Sequence, residues 1–260
     1  MFVGIDIGSS SSKVAILNEN KELVGLAVEN LGTGTNGIQI VLDKAFTQAG
    51  VTPEDIKYTV VTGYGRMTYE GADTQITEIS CHAKGTAFFN CDAKTIIDIG
   101  GQDAKVIKID AAGNVSNFNM NEKCAAGTGR FLEVMARVLD CKLGDLSDLA
   151  KASKKDVSIS SVCTVFAESE VISCLSAGES ISDVAKGAHR AVARRVAGMY
   201  NRVSGEPPVV MTGGVALNAD MITCLSDELK TTVTPVSHPQ LAGAVGAAVF
   251  AYEKYHKAKK

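Results

Sequence analysis

The feature that most constrains this chain is a segment that occurs twice, in which a strand-like apolar run ends in an acid and a glycine. Residues 5–12 read Ile-Asp-Ile-Gly-Ser-Ser-Ser-Ser, and residues 97–103 read Ile-Asp-Ile-Gly-Gly-Gln-Asp. Glycine permits a sharp turn, and the amides and hydroxyls of such a turn bind phosphate oxygens. One copy is compatible with an ordinary glycine hairpin. Two copies predict a duplicated fold that binds the phosphates of a nucleotide from both sides.

The elements around the two segments repeat as well, about 90 residues apart. Each copy has the order strand, glycine turn, strand, turn, strand, which apolar alternation predicts over residues 2–7, 13–17 and 22–29, and again over 95–99, 104–109 and 115–120. Between the two groups, helical spacing covers residues 38–49 and a further strand covers 58–62. This pattern predicts an α/β fold made of two related domains.

We place the boundary between the two domains near residues 90–94, which gives an N-terminal half of residues 1–92 and a C-terminal half of residues 93–260. The last segment, from Leu241 to Phe250, is rich in Ala and Gly, which suits a helix packed closely against a neighbour. We expect this last helix to pack back on the first half.

Three helices are predicted in the second half, over residues 130–140, 165–176 and 183–203. The first has a clear apolar face that includes Phe131 and Met135. In the second helix the residues expected to point inward are Val165, Ala167, Val171, Ile172 and Leu175.

The two glycine turns and a third one supply the predicted nucleotide site. Asp6 and Asp98, at the strand ends, are placed to hold Mg²⁺ through water, because Mg²⁺ keeps several waters and takes few carboxylates. Gln102 and Asp103 are predicted to orient the water that attacks the terminal phosphate. The third turn contains Gly213, Gly214 and Asn218, and its glycines allow a flat ring to lie close to the backbone. The predicted nucleotide contacts are Gly8, Ser9, Ser10, Ser11, Ser12, Lys13, Gly100, Gly101, Gly213, Gly214 and Asn218.

Composition excludes several classes of function. The formal net charge is −3 and Trp is absent, so the chain offers neither the basic surface nor the stacking platform of a nucleic-acid-binding protein. No apolar run approaches the roughly 20 residues of a membrane span. The chain begins directly with a strand-like segment and no signal peptide is visible, so we expect a cytoplasmic protein.

Seven cysteines are many for such a chain, and no Cys-x2-Cys pair occurs among them. Five are expected to be small buried residues, namely Cys81, Cys91, Cys141, Cys174 and Cys224. Cys124 and Cys163 differ because each precedes a predicted helix N-terminus, where a thiolate is stabilised. Two thiolates cannot complete a cubane iron–sulfur cluster, but a twofold-symmetric dimer would supply four. From the residues alone, this hypothesis and that of buried thiols both stay open.

The segments 98–105, 123–131 and 163–173 resemble the activator ATPases of 2-hydroxyacyl-CoA dehydratases, over essentially the whole chain. That family belongs to the actin, sugar kinase and Hsp70 superfamily, with a duplicated, ribonuclease H-like ATPase fold and the nucleotide in a cleft between two related domains. The resemblance implies a homodimer that holds one 4Fe–4S cluster through Cys124 and Cys163 of each chain.

The same resemblance implies a function, which is ATP-driven transfer of one low-potential electron. Its cofactors would be ATP/ADP, Mg²⁺ and the cluster, and its electron donor a ferredoxin or flavodoxin. Its acceptor would be an iron–sulfur dehydratase or a double-cubane reductase, and the sequence does not decide between them.

Two other functions remain open from the sequence. A small-molecule kinase of the same fold would use Asp103 as the base for an acceptor hydroxyl, and its cysteines would have no role. A nucleotide-switch protein without enzymatic activity would polymerise or bind peptides in response to nucleotide and would contain no iron.

Overall fold

The computed structural model describes residues 1–89, 92–110, 113–160 and 163–259. Cys91, and with it part of the predicted boundary segment 90–94, lies outside these residues. The described chain forms two compact units, each with one five-stranded sheet. Unit 1 comprises residues 1–93, 109–116 and 236–260, and unit 2 comprises residues 94–108 and 117–235.

The sheet of unit 1 has the strand order β3-β2-β1-β4-β5. Strand β1 pairs antiparallel with β2 and parallel with β4, so that Asp6 lies opposite both Lys13 and Thr62. The two central strands are buried along their length because the sheet is covered by helices on both faces. The strands are β1 (Phe2–Ile7), β2 (Ser12–Leu17), β3 (Leu23–Glu29), β4 (Tyr58–Thr62) and β5 (Thr74–Gln75).

Three helices belong to unit 1, and two of them pack unusually closely. These two are α2 (Glu78–Phe88) and α8 (Ala242–Ala258), while α1 (Gly37–Ala49) packs on strands β2 and β3. A Cβ atom added to Gly246 would lie 1.8 Å from the carbonyl oxygen of Cys81 on α2. Only glycine therefore allows these two backbones to approach as they do.

The sheet of unit 2 has the order β10-β9-β6-β7-β8, which repeats the pairing of the first sheet. Strand β6 pairs antiparallel with β7 and parallel with β9, so that Asp98 lies opposite both Lys105 and Thr212. The strands are β6 (Thr95–Ile99), β7 (Ala104–Ile109), β8 (Val115–Asn121), β9 (Val209–Thr212) and β10 (Val233–Pro235). The predicted α/β class and the repeated order of strands are confirmed.

Five helices complete unit 2, and their apolar faces enclose one core with the sheet. They are α3 (Gly129–Val138), α4 (Leu146–Lys151), α5 (Thr164–Ser176), α6 (Ile181–Arg202) and α7 (Ala219–Leu229). The predicted helices over 130–140, 165–176 and 183–203 are confirmed with shifts of one or two residues at their ends. None of the described helices is both long and apolar enough to cross a lipid bilayer.

The predicted inward face of α5 is wrong at two positions. Ala167 and Val171 are buried, but Val165 is 66% exposed and Ile172 is 50% exposed. Val165 and Ile172 lie seven residues apart and share their side of the helix with Ser169 and Ser176, which are also exposed. The other side of α5, which carries Ala167 and Val171, packs on α3 and α6. Apolar spacing alone therefore assigned Val165 and Ile172 to the wrong face.

Candidate functional site

The first glycine turn of unit 1 is fixed by its neighbours, yet two of its amides remain available. The amide of Gly8 donates to the carbonyl of Ser11 at 2.9 Å, and the hydroxyl of Ser12 donates to the carbonyl of Leu31 at 2.7 Å. Within the part of the chain that the structure describes, the amides of Ser9 and Ser10 donate no hydrogen bond. A rigid turn with free amides is an anion-binding geometry.

Asp6 lies directly beside this turn and is almost fully buried. The ammonium group of Lys13 is 3.4 Å from its Oδ2 atom. Thr62, opposite Asp6 on β4, has a buried hydroxyl beside the thiol of Cys81, and this hydroxyl forms no hydrogen bond in the described structure. Gly63 follows with φ of +94°, and a Cβ there would lie 2.6 Å from Oδ1 of Asp6.

The glycine turn of unit 2 has the same form. The amide of Gly100 donates to the carbonyl of Asp103 at 3.0 Å, while the amides of Gly101 and Gln102 form no hydrogen bond with described residues. The side chain of Gln102 is exposed, and that of Asp103 is half-buried. The predicted phosphate-binding turns are thus both present as turns with free amides.

The acid beside the second turn, Asp98, is more completely neutralised than Asp6. Its Oδ1 atom accepts a hydrogen bond from the hydroxyl of Thr212 at 2.8 Å, and its Oδ2 atom lies 3.2 Å from Nζ of Lys105. The same ammonium group lies 2.7 Å from Oδ2 of Asp103. Lys105 is 2% exposed, so this cation and the Asp98 carboxylate form a buried ion pair.

The two halves therefore repeat a set of five features: an acid, a glycine turn, a lysine, a threonine and a glycine with positive φ. Gly213 matches Gly63, because its φ is +86° and an added Cβ would lie 2.9 Å from Oδ1 of Asp98. The threonines differ, because Thr212 donates to its acid and the Thr62 hydroxyl has no such bond. Asp6 and Asp98 are therefore unequal as candidate cation ligands.

The third predicted turn follows β9 and leads through a short 3-10 helix, Gly214–Leu217, to α7. Asn218 is the N-cap of α7, and its side chain accepts a hydrogen bond from the amide of Met221 at 2.9 Å. Its amide nitrogen lies 3.1 Å from Nε2 of His189. Both polar atoms of this predicted nucleotide contact are therefore engaged within unit 2.

The two singled-out cysteines lie in loops of unit 2. Cys163 is exposed and is the N-cap of α5, while Cys124 is half-buried and precedes Thr128, the N-cap of α3, by four residues. A helix dipole acts within its first turn, so the argument from the helix N-terminus applies to Cys163 and not to Cys124. The side chain of Asn121 instead holds the Cys124 loop, donating to the carbonyls of Cys124 and Ala126 at 2.9 Å each.

The other described cysteines fit the expectation of buried thiols only in part. Cys81 and Cys224 are buried, and burial raises the pKa of each thiol to about 12. Cys141 and Cys174 are half-buried, and burial raises the pKa of these thiols as well. Among the described residues, Cys163 is the exposed cysteine.

The glycine turn of unit 2 is hydrogen-bonded directly to the helix that follows Cys124. The amide of Gly129 donates to the carbonyl of Gly100 at 2.9 Å, and the amide of Arg130 donates to the carbonyl of Gly101 at 2.7 Å. A Cβ at Gly129 would lie 2.8 Å from the Gly100 carbonyl oxygen, so glycine is needed for this contact. The turn and the start of α3 are therefore joined by two backbone hydrogen bonds.

Three site residues escaped the sequence prediction, namely Thr62, Lys105 and Thr212. Two features of the repeated sequence could have identified these residues. Each acid is followed seven residues later by a lysine, and residues 62–63 and 212–213 both read Thr-Gly after an apolar strand. Since antiparallel pairing in a tight hairpin fixes which residues face each other, the lysine could have been placed opposite the acid.

Comparisons with known proteins agree with this geometry. The family model described as "BadF/BadG/BcrA/BcrD ATPase family" matches residues 3–251. The activator of lactoyl-CoA dehydratase from Anaerotignum propionicum is 54% identical over 255 residues, which cover 98% of each chain. The structure of the activator of 2-hydroxyisocaproyl-CoA dehydratase from Clostridium difficile with bound ADPNP matches with a TM-score of 0.95 and 48% identity, covering 100% of this chain and 97% of that one.

A more distant solved structure shows the fold alone. A glucokinase of the ROK family from Streptomyces griseus matches with a TM-score of 0.57 and 14% identity, covering 97% of this chain and 99% of that one. The duplicated ATPase fold expected from the sequence is confirmed by this likeness together with the closer match.

Proposed function

The chain belongs to the BadF/BadG/BcrA/BcrD ATPase family, and from this premise we propose that it is the ATP-dependent activator of a 2-hydroxyacyl-CoA dehydratase or of a related iron–sulfur reductase. In this proposal a ferredoxin or flavodoxin supplies the electron and ATP hydrolysis drives its transfer. The relatives named above activate dehydratases of two different acyl-CoA substrates, which supports the partner class and leaves the individual substrate open.

We propose that the nucleotide phosphates are bound by the free amides of the two glycine turns. The central amides of both turns lack acceptors within the described chain, which supports this assignment. Mg²⁺ fits best at Asp6, because the nearby hydroxyl of Thr62 has no hydrogen bond and oxygen ligands suit this ion. Asp98 is the weaker candidate, since Thr212 and Lys105 engage both of its oxygens.

Gln102 and Asp103 would act on the attacking water. The exposed side chain of Gln102 is able to orient a water, and the carboxylate of Asp103 is able to accept a hydrogen bond from it. Lys105 fixes the direction of the Asp103 carboxylate by its contact of 2.7 Å with Oδ2. Hydrolysis here therefore depends on a buried lysine as well as on the two polar residues.

Cys124 and Cys163 fit an iron–sulfur cluster only in a dimer. No group of three or more candidate metal ligands occurs among the described residues, and the two cysteines lie in loops with exposed or half-buried thiols. A 4Fe–4S cluster takes four cysteine thiolates, which a twofold-symmetric homodimer of this chain would provide. When bound, the cluster would supply a one-electron redox centre.

The observation that carries the coupling is the pair of hydrogen bonds from Gly129 and Arg130 to the carbonyls of Gly100 and Gly101. A change in the phosphate contacts of the Gly101 and Gln102 amides shifts these peptide groups and therefore their carbonyls. The start of α3 and the loop of Cys124 then follow. The same turn serves hydrolysis and the position of a cluster ligand, which supports electron transfer in place of phosphorylation of a substrate.

Anaerobic purification tests the proposal. We expect a homodimer with about four iron and four sulfide per two chains, and loss of both in Cys163→Ser with ATP binding retained. Cys174→Ser is the matched control, since Cys174 lies on α5 but is half-buried, and it should keep its iron. An iron-free protein, or equal iron in the Cys163→Ser variant, would refute the cluster. Failure to bind ATP would refute the function as a whole.

A further inference from the structure

We propose that neutral His189 is the positioning residue of the Gly213–Asn218 turn, and that protonation of its Nε2 atom releases that turn. This inference deepens the proposed function, because the Gly213–Asn218 turn is one of the nucleotide contacts that the sequence predicts. His189 lies on α6 and is 0% exposed, so it acts from inside unit 2 and not on the ligand itself.

The orientation of Asn218 follows from the cap it forms. The amide of Met221 is a donor, so the Asn218 atom 2.9 Å from it must be the carbonyl oxygen. The side-chain NH₂ group of Asn218 then faces Nε2 of His189 at 3.1 Å. Since NH₂ donates only, Nε2 must be the unprotonated, accepting nitrogen.

The tautomer of His189 is thereby determined. With Nε2 accepting, the ring proton is on Nδ1, which donates to Oδ2 of Asp220 at 2.7 Å. The chain of hydrogen bonds runs from Asp220 through the imidazole to Asn218 and into the first turn of α7. It leaves no place for a second proton on the ring.

The charges around the ring are balanced without a protonated histidine. Asp220 is 1% exposed and its Oδ1 atom lies 2.7 Å from Nζ of Lys186. Burial alone would raise the pKa of the Asp220 carboxyl, but the hydrogen bonds from His189 and Lys186 outweigh it and hold this pKa below its usual value. The other groups at the site are neutral: the thiol of Cys224, 3.6 Å from Oδ2 of Asp220, and the hydroxyl of Ser147 on α4.

Protonation of His189 would therefore disturb the site in two ways. It places a donor on Nε2 opposite the Asn218 donor, and it adds a positive charge to a buried site that already holds one cation and one anion. Asn218 must turn away, and the side-chain cap at the start of α7, directly after the Gly214–Leu217 segment, is lost. Nucleotide binding at this turn should weaken as the ring becomes charged.

Two variants separate the roles of the two ring nitrogens. His189→Gln provides an oxygen near the Nε2 position that accepts from Asn218, while His189→Asn keeps a donor near the Nδ1 position for Asp220 and provides no acceptor for Asn218. We expect His189→Asn to weaken ATP binding about tenfold, the effect of one lost hydrogen bond, and His189→Gln to stay near the wild type. A merely structural histidine predicts equal loss in both variants, which would overturn the proposal.

The pH dependence gives the second readout. When the pH is lowered from about 7.5 to about 5, the wild type should lose ATP affinity beyond any loss shown by His189→Gln. Equal pH profiles would contradict the proposed release.

Nitrogen-15 NMR of the wild type tests the tautomer without nucleotide and without relying on a folded variant. The expected signature at neutral pH is a protonated Nδ1 and an unprotonated Nε2 for the ring whose signals disappear in His189→Gln. An Nε2–H tautomer or an imidazolium overturns the inference. A wild type with the expected tautomer but no ATP binding would instead refute the proposed function and the nucleotide part of this inference.

Discussion

The amide of Arg130 donates to the carbonyl of Gly101 at 2.7 Å, which joins the first turn of α3 to the centre of a glycine turn. The N–H of the same peptide group is that of Gln102, and it donates no hydrogen bond within the described chain. One peptide unit thus has a fixed carbonyl and a free N–H. A ligand that binds the N–H polarises and orients the same unit that holds α3.

Asp103→Ala should abolish ATP-driven electron transfer, because it removes the carboxylate that we propose acts on the attacking water and that Lys105 holds. We expect ATP binding to remain within a few-fold and ATP-dependent reduction of the partner to fall by at least about 100-fold, the usual range for loss of an acid–base residue. Single-turnover reduction of the partner by the anaerobically purified protein measures this loss. Asp148→Ala is the control, since that side chain is 84% exposed and should change neither rate. Unchanged ATP-dependent electron transfer in Asp103→Ala would contradict the proposed role of Asp103 in hydrolysis.

Lys105→Met should destabilise the fold strongly, because it leaves the buried Asp98 carboxylate and Asp103 without their shared cation. Breaking a buried ion pair costs about 3–5 kcal/mol in the free energy of unfolding. Lys108→Met, on the same strand, removes a more exposed pair with Glu206 and should cost less than about 1 kcal/mol. Urea unfolding of both apo variants makes the comparison. Similar losses would mean that Lys105 is not the cation that holds the two acids.

Gly246→Ala should prevent the close approach of α2 and α8, since the new Cβ would lie 1.8 Å from the Cys81 carbonyl oxygen. Backbone atoms cannot move aside as a flexible side chain does, so we expect a loss of at least about 3 kcal/mol in unfolding free energy. Gly198→Ala is the matched control, because a Cβ on that helical glycine meets nothing within 4 Å. It should raise stability by up to about 1 kcal/mol. Thermal or urea unfolding measures both variants. If both substitutions changed the free energy of unfolding in the same direction, the packing argument would be contradicted.

Asp183→Asn should destabilise the protein in a pH-dependent manner. The hydroxyl of Ser180, and then the amides of Lys155 and Lys154, hold the pKa of the Asp183 carboxyl well below its usual value of about 3.9. A carboxyl with a lowered pKa in the folded state contributes stability above its unfolded pKa and loses it as the pH falls. The difference between wild type and variant should therefore be large at about pH 7 and shrink below about pH 4.

Unfolding by urea at both pH values measures this difference. Ser180→Ala, which keeps the carboxylate but removes its first hydrogen-bond donor, should show a smaller pH-dependent loss than Asp183→Asn. A difference between wild type and Asp183→Asn that stays constant across pH would show that the charge of Asp183 has no part in stability.

Much of the fold follows from local sequence. The strands of both sheets alternate or are wholly apolar, and the glycines of the turns lie where the strands end, so β1, β2, β6 and β7 were predictable. The buried face of α5 was not predictable from the sequence. Val165 and Ile172 have the spacing of a core face, and only the packing of α3 and α6 determines which side of α5 is covered.

The site was predictable where backbone geometry determines it and less so where side chains meet across strands. The acids and turn glycines are marked by local sequence. Thr62 and Thr212 lie opposite their acids on strands that are about 56 and 114 residues further along the chain, a relationship that only the parallel pairing reveals. Whether such a threonine bonds to its acid depends on side-chain rotation, which the sequence pattern does not contain.

The hydroxyl of Thr62, which forms no hydrogen bond in the described structure, has a thermodynamic consequence for ligand binding. A buried polar group without a hydrogen bond costs about 1–3 kcal/mol, and in the other half Thr212 avoids that cost by donating to Asp98. A ligand or its hydration shell that hydrogen-bonds to Thr62 removes this penalty, and so binds more tightly than its own contacts would suggest. The related positions of the two halves therefore differ in what they offer, since the hydroxyl of Thr212 is engaged by its acid and that of Thr62 is available.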